Sequence, residues 1–195
     1  MIIYEDEGQK IGQHEIKNNY WKAKGVEVKR VPLPVGDYII ANTLTEDVIS
    51  RKAHRNVDLK KMDFLGTYRV CVDTKRDITE IEGNICGKAH ERFRDECILA
   101  KNNGITLYVL VENNNGIADI QDLFKFTSKR RQDWFRIKAA HDKGKMLGIK
   151  IANQPPVSGE VLAKAMLTMQ AKYGVTFLFC TPQEAGRKVI ELLRG

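Results

Sequence analysis

Two periods alternate along this chain. Short stretches with every second residue apolar read as half-buried strands, and longer stretches with apolar residues three and four apart read as helices. Ile2-Ile3-Tyr4 opens as a strand and runs into the acidic turn Glu5–Gln9. A helix is expected over His14–Lys24, stopped by Gly25, followed by a period-two strand over Val26–Val31. Pro32–Asp37 turns the chain into a strand beginning at Tyr38-Ile39-Ile40-Ala41. Asn42–Thr67 is polar and aperiodic and reads as an insertion at a hairpin tip. Tyr68–Lys75 is strand-like again.

A helical region then starts at Asp77 with Ile78, Ile81 and Ile85 on one face. It resumes after Gly87 with Phe93, Cys97 and Ala100 inward, and stops at Asn102-Asn103-Gly104. Ile105–Val111 is almost wholly apolar, as befits a central strand covered on both faces. A short helix over Asp119–Phe126, a long one from Ser158 to Tyr173, a buried strand Val175–Cys180 and a capped helix start at Thr181-Pro182-Gln183-Glu184 complete the chain. Strands interleaved with helices predict an α/β fold with a mixed central sheet flanked by helices.

Composition narrows the class. With 195 residues, 43% of them hydrophobic, the chain can build one core, so a single domain is expected over 1–195. No apolar run reaches the roughly 20 residues that span a bilayer, and the start turns acidic at once rather than forming a leader. The four cysteines are scattered without zinc spacing, which favours a reduced, cytoplasmic, soluble protein. Net charge is +7, and its distribution is uneven: between Lys125 and Lys150 nine Lys/Arg face two Asp, so that one segment carries the whole excess.

The sharpest chemical feature is Asp73-Thr74-Lys75. Residues two apart on a strand share a face, so a carboxylate and an ammonium would meet in one site. Asp37, at a Gly-Asp turn, and Asp6, after the first strand, supply further carboxylates from strand ends. Hard oxygens arranged in this way suit Mg²⁺, and a lysine beside it can hold or deprotonate the attacking water.

These residues, in this order, resemble the XPF-type nuclease domain, the excision-repair cross-complementing group four domain of the PD-(D/E)xK superfamily. The resemblance rests on Asp6, Gly36-Asp37-Tyr38, Val72-Asp73-Thr74-Lys75, the helix of His90-Glu91-Arg92-Phe93, the strand Leu107–Glu112 and the ending Tyr173–Leu193. It is similar to the short bacterial or prophage forms and covers nearly the whole chain except about 42–67 and 129–156, which read as insertions. It implies a restriction-endonuclease-like fold and a Mg²⁺-dependent DNA endonuclease (Mn²⁺ substituting) that acts on branched or flap structures in repair or recombination. Asp37, Asp73 and Asp6 would be the metal ligands and Lys75 the catalytic lysine. No small-molecule cofactor or membrane partner is implied, and a homodimer stays open.

Departures from the family pattern are specific. Thr74 stands for an Arg, Gly8 and Gln9 replace the Arg and Glu of the opening motif, and Asp77 lies one residue too close, which favours a helix cap. A competing match at Ser50-Arg51-Lys52 would put a neutral hydroxyl where a carboxylate is needed. Arg92 is expected to reach the scissile phosphate. Lys129, Arg130, Arg131, Trp134 and Arg136 mix cations with an aromatic as DNA contacts would. The rival reading is a DNA-binding recombination accessory with the same fold and a degraded site.

Overall fold

The structure is a computed structural model that describes residues 1–10, 12, 15–143 and 150–195. Six strands form its sheet: β1 (Ile2–Asp6), β2 (Glu27–Val31), β3 (Tyr38–Ile40), β4 (Val70–Lys75), β5 (Thr106–Glu112) and β6 (Thr176–Cys180). Their order is β2-β1-β3-β4-β5-β6, and β3 alone runs against the other five. Five strands therefore end, and β3 begins, along one edge of the sheet. That edge gathers Asp6, Asp37, Lys75 and Glu112, the end of an open sheet where α/β proteins place their sites.

Each face is covered by its own helices. On one, α1 (Glu15–Ala23) and α8 (Pro182–Arg194) bury Ile3, Tyr38, Val72 and Leu110 together with Trp21 and Val189. The Trp21 indole donates to Gly186 O at 2.8 Å, which fixes α1 against α8. On the other face, α3 (Ile78–Cys86), α4 (His90–Asn102) and α7 (Gly159–Tyr173) close over Cys71, Val109, Val111 and Phe177. The sequence expectation for α1 began at His14, which lies outside the described residues.

The aperiodic stretch 42–67 is more ordered than its pattern predicts. It holds a helix, α2 (Thr43–His54), started by a reciprocal cap between Asn42 and Thr45, then one 3₁₀ turn at Lys61–Phe64. Only Thr45 and Val48 of α2 are buried, too few to imprint a helical period. Ser50 sits exposed on this helix, so the competing Ser50-Arg51-Lys52 match is not on a strand at all.

A short helix α5 (Ile120–Leu123) leads to α6 (Lys129–Asp142), capped by Ser128. No residue of α6 is buried. Its anchors are polar: Arg131 donates to Pro156 O, and the Trp134 indole to Ala152 O at 3.0 Å. The chain returns to the core at Gly159, which packs against Phe126 O and Leu123 O so closely that an added Cβ would lie 2.5 and 2.1 Å from them.

Candidate active site

The Asp73–Lys75 pair follows directly from strand geometry. Both side chains point to the α4 face at the end of β4, and Lys75 Nζ lies 2.8 and 2.7 Å from the two Asp73 oxygens. The pair is almost wholly buried, and the ammonium also sits 5.4 Å from the centre of the Phe93 ring. Burial pushes the Asp73 carboxyl well above the carboxylate range, and Asp37 and Glu96 add to that push, while Lys75 offsets only part of it. For Lys75, burial favours the neutral amine. The carboxylates of Asp73 and Asp37 outweigh it, and the ammonium is held above its ordinary range.

Asp37 is delivered by a turn only glycine can make. Gly36 has φ of +74°, and a Cβ there would lie 2.8 Å from the Cys71 side chain. Asp37 N and O then bond Val72 O at 2.9 Å and Asp6 N at 2.8 Å, which ties the turn to both neighbouring strands. Its carboxylate is clamped from two sides. Thr74 donates twice to Oδ2, through its amide at 2.7 Å and its hydroxyl at 3.0 Å, and the Gln9 amide donates to Oδ1. Two of the residues that depart from the family pattern thus meet on this one carboxylate.

Asp6 accepts from Leu33 N at 2.9 Å through one oxygen and from Lys61 Nζ at 3.1 Å through the other. Asp6, Asp37, Asp73, Lys75 and Arg92 all line one open cavity of about 730 Å³. Asp77 caps α3 instead, accepting from Glu80 N at 2.8 Å. Lys129, Arg130, Arg131, Trp134 and Arg136 are not brought to this cavity. They ride on α6, and Arg130 and Trp134 line a separate one.

Glu96 was missed by sequence reasoning. It lines the same cavity from α4, and its Oε1 accepts from Gly36 N at 2.8 Å, so it holds the turn that presents Asp37. Burial raises its carboxyl, and Asp37 adds to the rise against the pull of Lys75. The signal was present: Glu96 lies four residues after Arg92 and beside inward-facing Cys97, so it shares the cavity side of α4.

The donor set fits a hard divalent cation. Asp73 Oδ2 is buried and, despite the nearby ammonium, accepts no well-directed hydrogen bond from a described residue. A second carboxylate, Asp37, stands beside it. Among the described residues no three His, Cys, Asp or Glu side chains form a complete cage.

A six-stranded α/β sheet with an acid–lysine pair at its strand ends is a restriction-endonuclease-like framework. The chain belongs to the ERCC4 domain family, whose model matches residues 6–192. Its fold is similar to XPF from Aeropyrum pernix in complex with DNA (TM-score 0.54, 14% identity, covering 99% of this chain and 63% of that one). It is likewise similar to a second structure of XPF from Aeropyrum pernix (TM-score 0.53, 13% identity, covering 100% and 60%). The chain therefore spans about 60% of the length of the solved proteins it matches. No curated protein matches it in sequence.

Proposed function

We propose that this protein is a divalent-metal-dependent DNA endonuclease acting on branched or flap-like DNA. The observation that carries the reading is the buried Asp73–Lys75 pair facing Asp37 across an open, charged cavity at the strand ends. Asp37 and Asp73 would hold Mg²⁺, with Asp6 acting at the cavity wall through water. A bound Mg²⁺ would acidify the attacking water and offset charge developing on the phosphate. Lys75, beside Asp73, would orient that water and hold the phosphate oxygen. Thr74 and Gln9 fix the Asp37 carboxylate, and Arg92, exposed on the same cavity, reaches the incoming phosphate. The basic helix α6 supplies sequence-independent grip on the backbone.

One observation favours a second reading, a DNA-binding accessory module with the same fold. The Gln9 amide donates to an oxygen of Asp37 that a metal would use. One experiment separates the two. Labelled duplex, single-stranded, flap and four-way DNA are incubated with Mg²⁺, Mn²⁺ or EDTA and with wild type, Asp73→Ala or Lys75→Ala. Metal-dependent cutting lost in both variants supports the nuclease. Salt-sensitive binding of branched DNA without cutting supports the accessory module.

A further inference from the structure

Away from the catalytic cavity a second one, of about 530 Å³, opens between α6 and residues 150–157. That is within the range of small-ligand pockets. Its walls are flat and apolar: the Trp134 ring, Ile137, Ile151 and Pro155. Its lining is also charged: Arg130 and Lys150 are the cations, and Asp133 and the Glu82 carboxylate of α3, which already accepts from the Val157 backbone, are the acceptors. The Trp134 ring is held in place before any ligand arrives. Its indole donates to Ala152 O at 3.0 Å and Phe135 stands edge-on at 5.0 Å, so little rotamer freedom remains to be lost on binding. A held aromatic plane, apolar side walls, cations for phosphate and an acceptor for a base amine together match one nucleotide with its base unstacked. A duplex offers no such base.

We infer that this cavity holds one unpaired nucleobase of the DNA strand entering the catalytic site, stacked on Trp134. The inference rests on the nuclease reading and sharpens its substrate to DNA with a single-stranded arm. The two cavities lie on opposite sides of α3: Glu80 lines the catalytic one and Glu82 the other, and residues two apart on a helix do not share a face. A helix is about 10–12 Å across with its side chains. The seated base is then at least one helix width from the phosphate at Lys75.

The chain has two tryptophans, and Trp21 is fully buried under α8, so a base on Trp134 has its own optical reporter. The test uses forked DNAs with 2-aminopurine at each unpaired position in turn, and a blunt duplex, in EDTA so that no strand is cut. Wild type is compared with Trp134→Ala and Ile151→Asp. We expect forks, but not the duplex, to quench tryptophan emission, with the 2-aminopurine change concentrated at one unpaired position. Either variant should lose roughly 5- to 100-fold in fork affinity, the scale of one base–aromatic stack, with duplex affinity moved less than about twofold.

Equal losses on fork and duplex, or no quenching by forks, would overturn the base pocket and leave the nuclease reading standing. Quenching by forked RNA and not by forked DNA would overturn the assigned strand chemistry. If wild type binds no DNA at low salt, the nuclease reading itself fails and takes the pocket with it.

Discussion

Among the described residues two lysines are buried, one on each face of the sheet, and each bonds a carboxylate. Lys17, from α1, meets Glu112 at the end of β5 and is 2% exposed. Lys75 meets Asp73 on the other face and is 7% exposed. Their surroundings differ more than their burial. Lys17 is roofed by α1 beside the apolar face that Trp21, Leu110 and Cys180 share. Lys75 faces Asp37 and Glu96 as well as Asp73 and borders an open cavity. A sealed pair serves the fold, since an uncompensated charge is what its loss would leave. A pair that keeps surplus carboxylates beside an open mouth is arranged for a cation and a polyanion.

The largest expected difference is catalytic. Lys75→Ala should lower metal-dependent cleavage by on the order of 10²–10³-fold, while Lys17→Ala, assayed per folded molecule, should stay within a few-fold of wild type. If both lysines prove equally needed for cutting, the contrast between the faces fails. Stability should run the other way. Removing one member of the sealed pair, as in Lys17→Met or Glu112→Gln, is expected to cost about 3–5 kcal/mol in urea unfolding, and the double change Lys17→Met/Glu112→Leu to recover most of it. A double variant no better than the singles would mean that the pair is not the source of the cost.

Glu96 sharpens the comparison through pH. Burial, with Asp37 adding to it, raises its carboxyl in the folded state. The folded protein therefore binds a proton that the unfolded chain has released, and stability falls as pH rises from about 4, the unfolded Glu value, through the raised one. Glu96→Gln keeps an acceptor for Gly36 N and removes that fall. In EDTA it should melt higher than wild type at pH 8, with the gap closing at pH 4. A gap that is widest at acid pH would contradict this. The smallest effect is expected from exposed Arg136, where substitution by Ala should flatten the salt dependence of DNA binding by about one phosphate's worth and weaken duplex and fork alike.

Much of the site was legible because its signals are local. A glycine before Asp37 and an Asp-x-Lys on a strand fix which side chains share a face whatever surrounds them. The core strand 106–112 and the capped start of α8 were readable for the same reason. What escaped the pattern depends on partners distant in sequence. The helix α2 buries only Thr45 and Val48 and shows no period. Glu96 looks like one more charge on a charged helix until Gly36 is brought against it. The meeting of Gln9 and Thr74 on Asp37 joins positions far apart in the chain. Read singly against the family pattern, those two residues look like losses.

Gly159 packs against the carbonyl of Phe126, so the chain leaves the core and re-enters it at one spot. None of α6 is buried, and from the described residues between those two points Val157 packs against the core. The excursion behaves as a cassette. Cutting it out and bridging the two ends with a short turn should leave the sheet and the Asp73–Lys75 cavity standing, and the same point of attachment could accept a different arm without redesigning the domain beneath it.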